Sequence, residues 1–101
     1  MKVFLDDERV TPQGWFRTYN PDDTIDLLHA GLVTELSLDH DLGDDDEIGT
    51  GYDVVLWIEE AVALRGFVPP IIHVHSANSS AAAKMRAGIE TIQRLHNALS
   101  V

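Results

Sequence analysis

The sequence predicts a single α/β domain built on a mostly parallel sheet of about four strands in spatial order 2-1-3-4. Three observations predict it. Short apolar runs at residues 2–5, 35–38 and 71–75 each lead into a polar cluster, as buried parallel strands do. Helix-like segments follow the later strands, and strand–helix–strand connections make neighbouring strands parallel. The chain has 101 residues, which is room for one domain (1–101) and one core.

The first strand, Lys2–Leu5, runs directly into Asp6-Asp7-Glu8-Arg9. Pro12 and Gly14 then mark a loop. With the first crossover reduced to that loop, the order 2-1-3-4 follows, and the first strand lies beside the third at a topological switch. Residues 15–19 (WFRTY) read as a short edge strand. The next segment carries helix-start signals: Asn20 can cap, Pro21 suits the first turn, and Asp22 and Asp23 complement the helix dipole. Ile25, Leu28 and Leu32 form its apolar stripe, with Gly31 as terminator.

Residues 35–38 form a strand that ends in Asp39-His40-Asp41. Residues 43–51 (GDDDEIGTG) read as a polar, acidic loop. The segment 52–65 is a largely apolar helix with Glu59, Glu60 and Arg65 on its wet face and Gly66 as its stop. Pro69-Pro70 separate it from the strand at 71–75. Ser79 or Ser80 can cap the last helix, in which Met85, Ile89, Ile92, His96 and Leu99 share a face. Trp15 and Trp57 are read as core residues.

Charge and composition exclude several functions. The formal charge is −10, and only seven Lys and Arg are present. Duplex nucleic acid is bound by neutralising many phosphates, so a general binder of this kind is not expected. A single phosphate, held by a cation and one arginine, remains compatible. The chain has no cysteine, which removes disulfides, thiolate metal sites and thiol nucleophiles. No apolar stretch approaches the ~20 residues that span a bilayer, and no signal-peptide pattern is present. The expectation is a soluble, cytoplasmic protein without membrane partners; the oligomeric state is not legible.

The chemistry concentrates at strand ends. Asp6-Asp7-Glu8-Arg9, Asp39-His40-Asp41 and His75-Ser76-Ala77-Asn78 all follow strands, and ligands of open α/β sheets bind outside those carboxyl ends. A single strand-end Asp usually starts a turn. A pair plus a third on the neighbouring strand instead makes an oxygen-rich pocket. Asp6, Asp7 and Asp39 are therefore candidate ligands for a divalent cation, Mg²⁺ or Mn²⁺, binding directly or through water. Arg9 is the one cation in these clusters and can hold a phosphoryl oxygen, or pair with its acidic neighbours. Ser76 and Asn78 can cradle an anion at the last helix, cap that helix, or do both.

Two histidines are candidates for proton transfer, His75 ahead of His40 because a strand tip holds a side chain more rigidly than a loop. Asp39 belongs to the same catalytic set. His73, two residues before His75, lies deeper and reads as a hydrogen-bonded core residue; an H-x-H zinc site lacks a third ligand. The acidic run at 44–47 does not match a calcium loop, because Gly43 and Thr50 fall at the wrong positions.

These motifs resemble the receiver fold of response regulators: the acidic pair resembles Asp6-Asp7, the phosphoacceptor resembles Asp39, and Ser76-Ala77 resembles its Ser/Thr-Ala. That resemblance implies a three-layer, flavodoxin-like sheet, here lacking the fifth strand and its lysine. The whole chain more closely resembles the cyclic-phosphate processing receiver-like family, through LDDER (5–9), SLDHDLG (37–43), GYDVVLWI (51–58), HVHSAN (73–78) and Met85. It departs at Ser79-Ser80-Ala81, where a turn with Pro and Gly is expected. The resemblance implies a metal-assisted phosphoesterase acting on a cyclic phosphate, such as the 2′,3′-cyclic end of an RNA or a nucleotide, in an RNA-repair setting. A module that senses such a ligand without turnover is the first alternative, and a phosphoaccepting signalling receiver the second.

Overall fold

A computed structural model describes residues 1–99. The last two residues of the predicted 1–101 domain lie outside the described residues. The element order is β1 (Lys2–Leu5), β2 (Phe16–Thr18), α1 (Pro21–His29), β3 (Glu35–Leu38), α2 (Asp45–Ile48), α3 (Gly51–Arg65), β4 (Ile71–Val74) and α4 (Ser79–Leu99). The four strands form one sheet in order β2-β1-β3-β4, and every neighbouring pair is parallel. This is the predicted α/β class and strand order.

The register explains how the core is built. Val3 and Leu5 of β1 lie beside Leu36 and Leu38 of β3, which lie beside Ile72 and Val74 of β4. Alternate residues of a strand face opposite sides, so these six share one face. They join one apolar cluster with Leu28 of α1, Val54, Val55, Ile58 and Val62 of α3, and Met85, Ile89 and Ile92 of α4. Moreover, α3 packs against both α1 and α4. The three long helices therefore cover the same face of the sheet.

This corrects the layering. The expected three-layer arrangement is reduced to two layers among the described residues. The physical reason is the connection from β1 to β2, which is the loop at 6–15 and carries no helix. That loop shields part of the second face: Trp15 meets Phe4 edge-on at 6.3 Å between centroids, and Thr11 Oγ1 accepts from Arg17 Nε at 2.7 Å. The rest of this face carries Glu35, Ser37, His73 and His75.

Local signals account for most element boundaries. Asn20 Oδ1 accepts the Asp23 N–H at 2.8 Å, and Pro21 opens α1. That helix ends at His29, so Leu32, expected on its stripe, lies beyond it and is exposed. The predicted acidic loop contains a single helical turn, α2, whose cap Asp44 accepts the Asp46 N–H at 2.9 Å. In α3 the Thr50 N–H donates to Asp53 at 2.9 Å, and Gly66 ends the helix at φ 64°. For α4 the capping side chain is Asn78, one residue before the predicted serines; its Oδ1 accepts from Ala81 N and Ser80 Oγ. Leu99, predicted on the apolar face, is exposed near the helix end. Trp15 and Trp57 sit at the core's periphery, half-buried.

His73 is a second correction. It is exposed on the edge strand β4, where Nε2 lies 2.8 Å from Glu35 Oε2, and is not a core residue. Depth along a strand does not bury a side chain on a face without helices.

Candidate functional site

Asp6 and Asp39 continue adjacent parallel strands: the Asp39 N–H donates to Leu5 O at 3.0 Å, and the His75 N–H to Leu38 O at 3.0 Å. The β1, β3 and β4 ends are thus tied in register, and their polar clusters meet at one edge. Carboxylate oxygens of Asp6, Asp7 and Asp39 all lie within 4.8 Å of one another. Asp6 and Asp39 are buried, while Asp7 is partly exposed. A cavity of about 470 Å³ opens here, lined by Asp7, Glu8 and Arg9 after β1, Asp39, Asp41 and Gly43 after β3, and Ala77 ahead of α4.

Arg9 stands between the two buried carboxylates. Its Nη1 lies 2.8 Å from Asp6 Oδ2 and 3.2 Å from Asp39 Oδ2. Asp6 is hydrogen-bonded to capacity. Oδ1 accepts the Glu8 and Arg9 backbone N–H groups at 2.8 and 3.0 Å, and Oδ2 meets Arg9 Nη1 and His75 Nε2 at 2.8 and 3.0 Å. A carboxylate offers about four acceptor positions, and here all four are taken. Burial pushes the Asp6 carboxyl up, but the Arg9 side chain, the two backbone N–H groups and His75 outweigh it and hold it well below the usual carboxylate range. Arg9 is in turn held more firmly in its charged form, first by the Asp6 hydrogen bond.

The donor chemistry suits a hard divalent cation, with capacity unevenly shared. Asp7 makes no hydrogen bond or ion pair among the described residues. Asp39 receives the His40 N–H on Oδ1 at 2.9 Å and the longer Arg9 contact on Oδ2. Asp7 and Asp39 therefore keep free lone pairs and could hold a cation, with Asp6 adding charge nearby.

The remaining candidates sort by distance from this cavity. The His40 ring turns to Asp41, with Nδ1 2.7 Å from Oδ1. His75 lies beside Asp6, stacked flat on Phe4 at 4.3 Å, with Nδ1 2.7 Å from Ser37 Oγ. Burial lowers its pKa against the opposing pull of Asp6. Ser76 Oγ accepts the Asn78 N–H at 3.1 Å, and Asn78 caps α4, so both side chains serve the helix start while Ala77 faces the cavity. Sequence reading did not single out Ser37; its only signal is a hydroxyl between Leu36 and Leu38 in an apolar strand.

An open parallel α/β sheet with acidic groups and an arginine at its carboxyl edge defines a receiver-like domain. The chain belongs to the cyclic-phosphate processing receiver domain family, whose model matches residues 1–91. No curated protein and no solved structure matches it. Among the described residues, no helix is long and apolar enough to cross a membrane.

Proposed function

We propose that the domain hydrolyses a cyclic phosphate diester with the help of a divalent cation, opening the ring of a 2′,3′-cyclic end on RNA or on a nucleotide. The observation that carries this reading is Arg9, a guanidinium among three carboxylates on the wall of a cavity of about 470 Å³. The cation-binding carboxylates and the anion-binding arginine stand side by side, as a phosphate ester requires.

In this reading Asp7 and Asp39 hold Mg²⁺ or Mn²⁺, which when bound polarises a phosphoryl oxygen and lowers the pKa of water. Arg9 holds the phosphate oxygens, and Ser76 and Asn78 flank Ala77, which lines the same cavity. Water adds at phosphorus, the ring P–O bond breaks, and the ester leaves as a monoester with one free hydroxyl. The attacking water gives up a proton and the departing oxygen gains one. His40, whose partner Asp41 lines the cavity, suits this transfer better than His75, whose two ring nitrogens are already engaged.

The test is a panel of 2′,3′- and 3′,5′-cyclic nucleotides and cyclic-ended oligonucleotides, with and without Mg²⁺ or Mn²⁺, read for monoester product. Metal-dependent ring opening supports the proposal. Binding without product identifies a sensing module instead, and stable phosphate incorporation at Asp39 from an acyl phosphate identifies a signalling receiver.

A further inference from the structure

The sheet face away from the helices carries polar groups inside otherwise apolar strands. Ser37 is buried between Leu36 and Leu38, and His75 follows Val74. Their side chains form a line that ends at the site: Ser37 Oγ to His75 Nδ1 at 2.7 Å, then His75 Nε2 to Asp6 Oδ2 at 3.0 Å. The imidazole lies flat on Phe4, with planes 3° apart, so the plane of the ring is set.

Hydrogen-bond chemistry assigns each proton. Asp6 pairs with Arg9 and accepts two backbone N–H groups, so it is an ionised, acceptor-only group. His75 Nε2 must therefore carry the hydrogen. In a neutral imidazole Nδ1 is then the acceptor, and the Ser37 hydroxyl, which can rotate, is its donor. The opposite tautomer would aim a lone pair at the Asp6 carboxylate.

We propose that Ser37 and His75 are positioning residues: the Asp6 carboxylate sets His75 as the Nε2–H tautomer, the Ser37 hydroxyl donates to Nδ1 and holds the ring in place, and the Nε2–H in turn holds the Asp6 carboxylate that aims Arg9 into the cavity. This rests on the reading of Arg9 as the phosphate-holding group. His75 then acts through Asp6 and Arg9, off the cavity wall, and moves no proton in the reaction. It is the arrangement by which a ligand's orientation is set by the hydrogen bond on the other ring nitrogen, turned here to an arginine's carboxylate partner.

Nitrogen–proton correlation spectra of the labelled, ligand-free protein at neutral pH read the tautomer directly. Wild type should show His75 protonated at Nε2 and bare at Nδ1. Ser37→Ala should keep the Nε2–H tautomer but shift the Nδ1 resonance, which loses its hydrogen-bond donor, and Ser37→Thr, which keeps the hydroxyl, should restore the wild-type shift. An Nδ1–H tautomer in wild type, or an unchanged Nδ1 resonance in a folded Ser37→Ala, would overturn the proposal.

The second arm uses adenosine 2′,3′-cyclic phosphate as probe. Ser37→Ala and His75→Gln should each weaken its binding by about tenfold, the scale of one charge-assisted hydrogen bond, and leave the shape of the kcat–pH profile unchanged. A fall of about 10²–10⁴-fold in kcat at unchanged affinity would make His75 a proton-transfer residue and overturn it too. If the probe neither binds nor turns over, the hydrolase reading fails, while the tautomer spectra still decide the relay.

Discussion

At the scale of single residues, Asp6 is the pivot of the site, because its four hydrogen bonds link the β1 turn, Arg9 and His75. The clustering of Asp6, Asp7 and Asp39 was legible in the sequence, since two strands that each run into aspartate bring those carboxylates to one edge when they lie side by side in a parallel sheet. The division of labour was not. Nothing in a linear sequence shows that Asp6 spends its lone pairs on N–H groups while Asp7 keeps its own free. Ser37 escaped for the same reason, because its partner lies 38 residues away. The shifts at Asp6 and His75 make a testable pH dependence. Both are downward, so the folded state binds fewer protons than the unfolded one and stability rises with pH. The His75 contribution is fully present above its unfolded pKa of about 6.5, and the Asp6 contribution above about 3.9. Each is lost as the pH falls through the folded value. Urea midpoints should therefore fall from neutral to mildly acidic pH in wild type, and fall less in His75→Gln. An equal fall in both would contradict the shift at His75.

At the scale of elements, the best-read segments were those with two agreeing signals. β1 and β3 combine an apolar run with a terminal aspartate, and α1 combines a capping Asn with Pro and acidic residues in its first turn. The single turn of α2 was invisible, because three acidic residues and one isoleucine show no apolar period, and its Asp44 cap satisfies only a local N–H. One close approach sets the site's geometry. Gly51 opens α3 directly under the end of β3, its N–H donates to His40 O at 3.1 Å, and a Cβ there would run into the Asp39 carbonyl. Gly51→Ala should destabilise the fold by about 1–3 kcal/mol, as overpacking of a tight contact does. It should also shift the amide resonances of Asp39 and His40. Wild-type stability and unmoved resonances would show that this approach is not tight.

At the scale of the whole molecule, the strand order was predictable but the layering was not. A connection of ten loop residues between β1 and β2, 6–15, satisfies the same topology as a helical crossover while leaving one sheet face without a helix among the described residues. That is why His73, read as core, pairs with Glu35 at the surface. The net charge of −10 and the carboxylate cluster bear on stability together. A cation that binds only the folded state raises stability by mass action, by about 2.7 kcal/mol at 100 times Kd. Millimolar Mg²⁺ or Mn²⁺ should raise the Tm of wild type, and raise that of Asp39→Asn less. Equal shifts in both would place the cation elsewhere.

The measurement that bears most directly on cyclic-phosphate hydrolysis at this site is phosphorus NMR of a 2′,3′-cyclic nucleotide incubated with the protein and Mn²⁺. Wild type should convert the cyclic resonance to that of a monoester. Arg9→Lys, which keeps the charge but loses the planar fork, should slow conversion and weaken binding, and Asp39→Asn should slow it further. A cyclic resonance that persists with wild type, or conversion at the wild-type rate in both variants, would contradict the account.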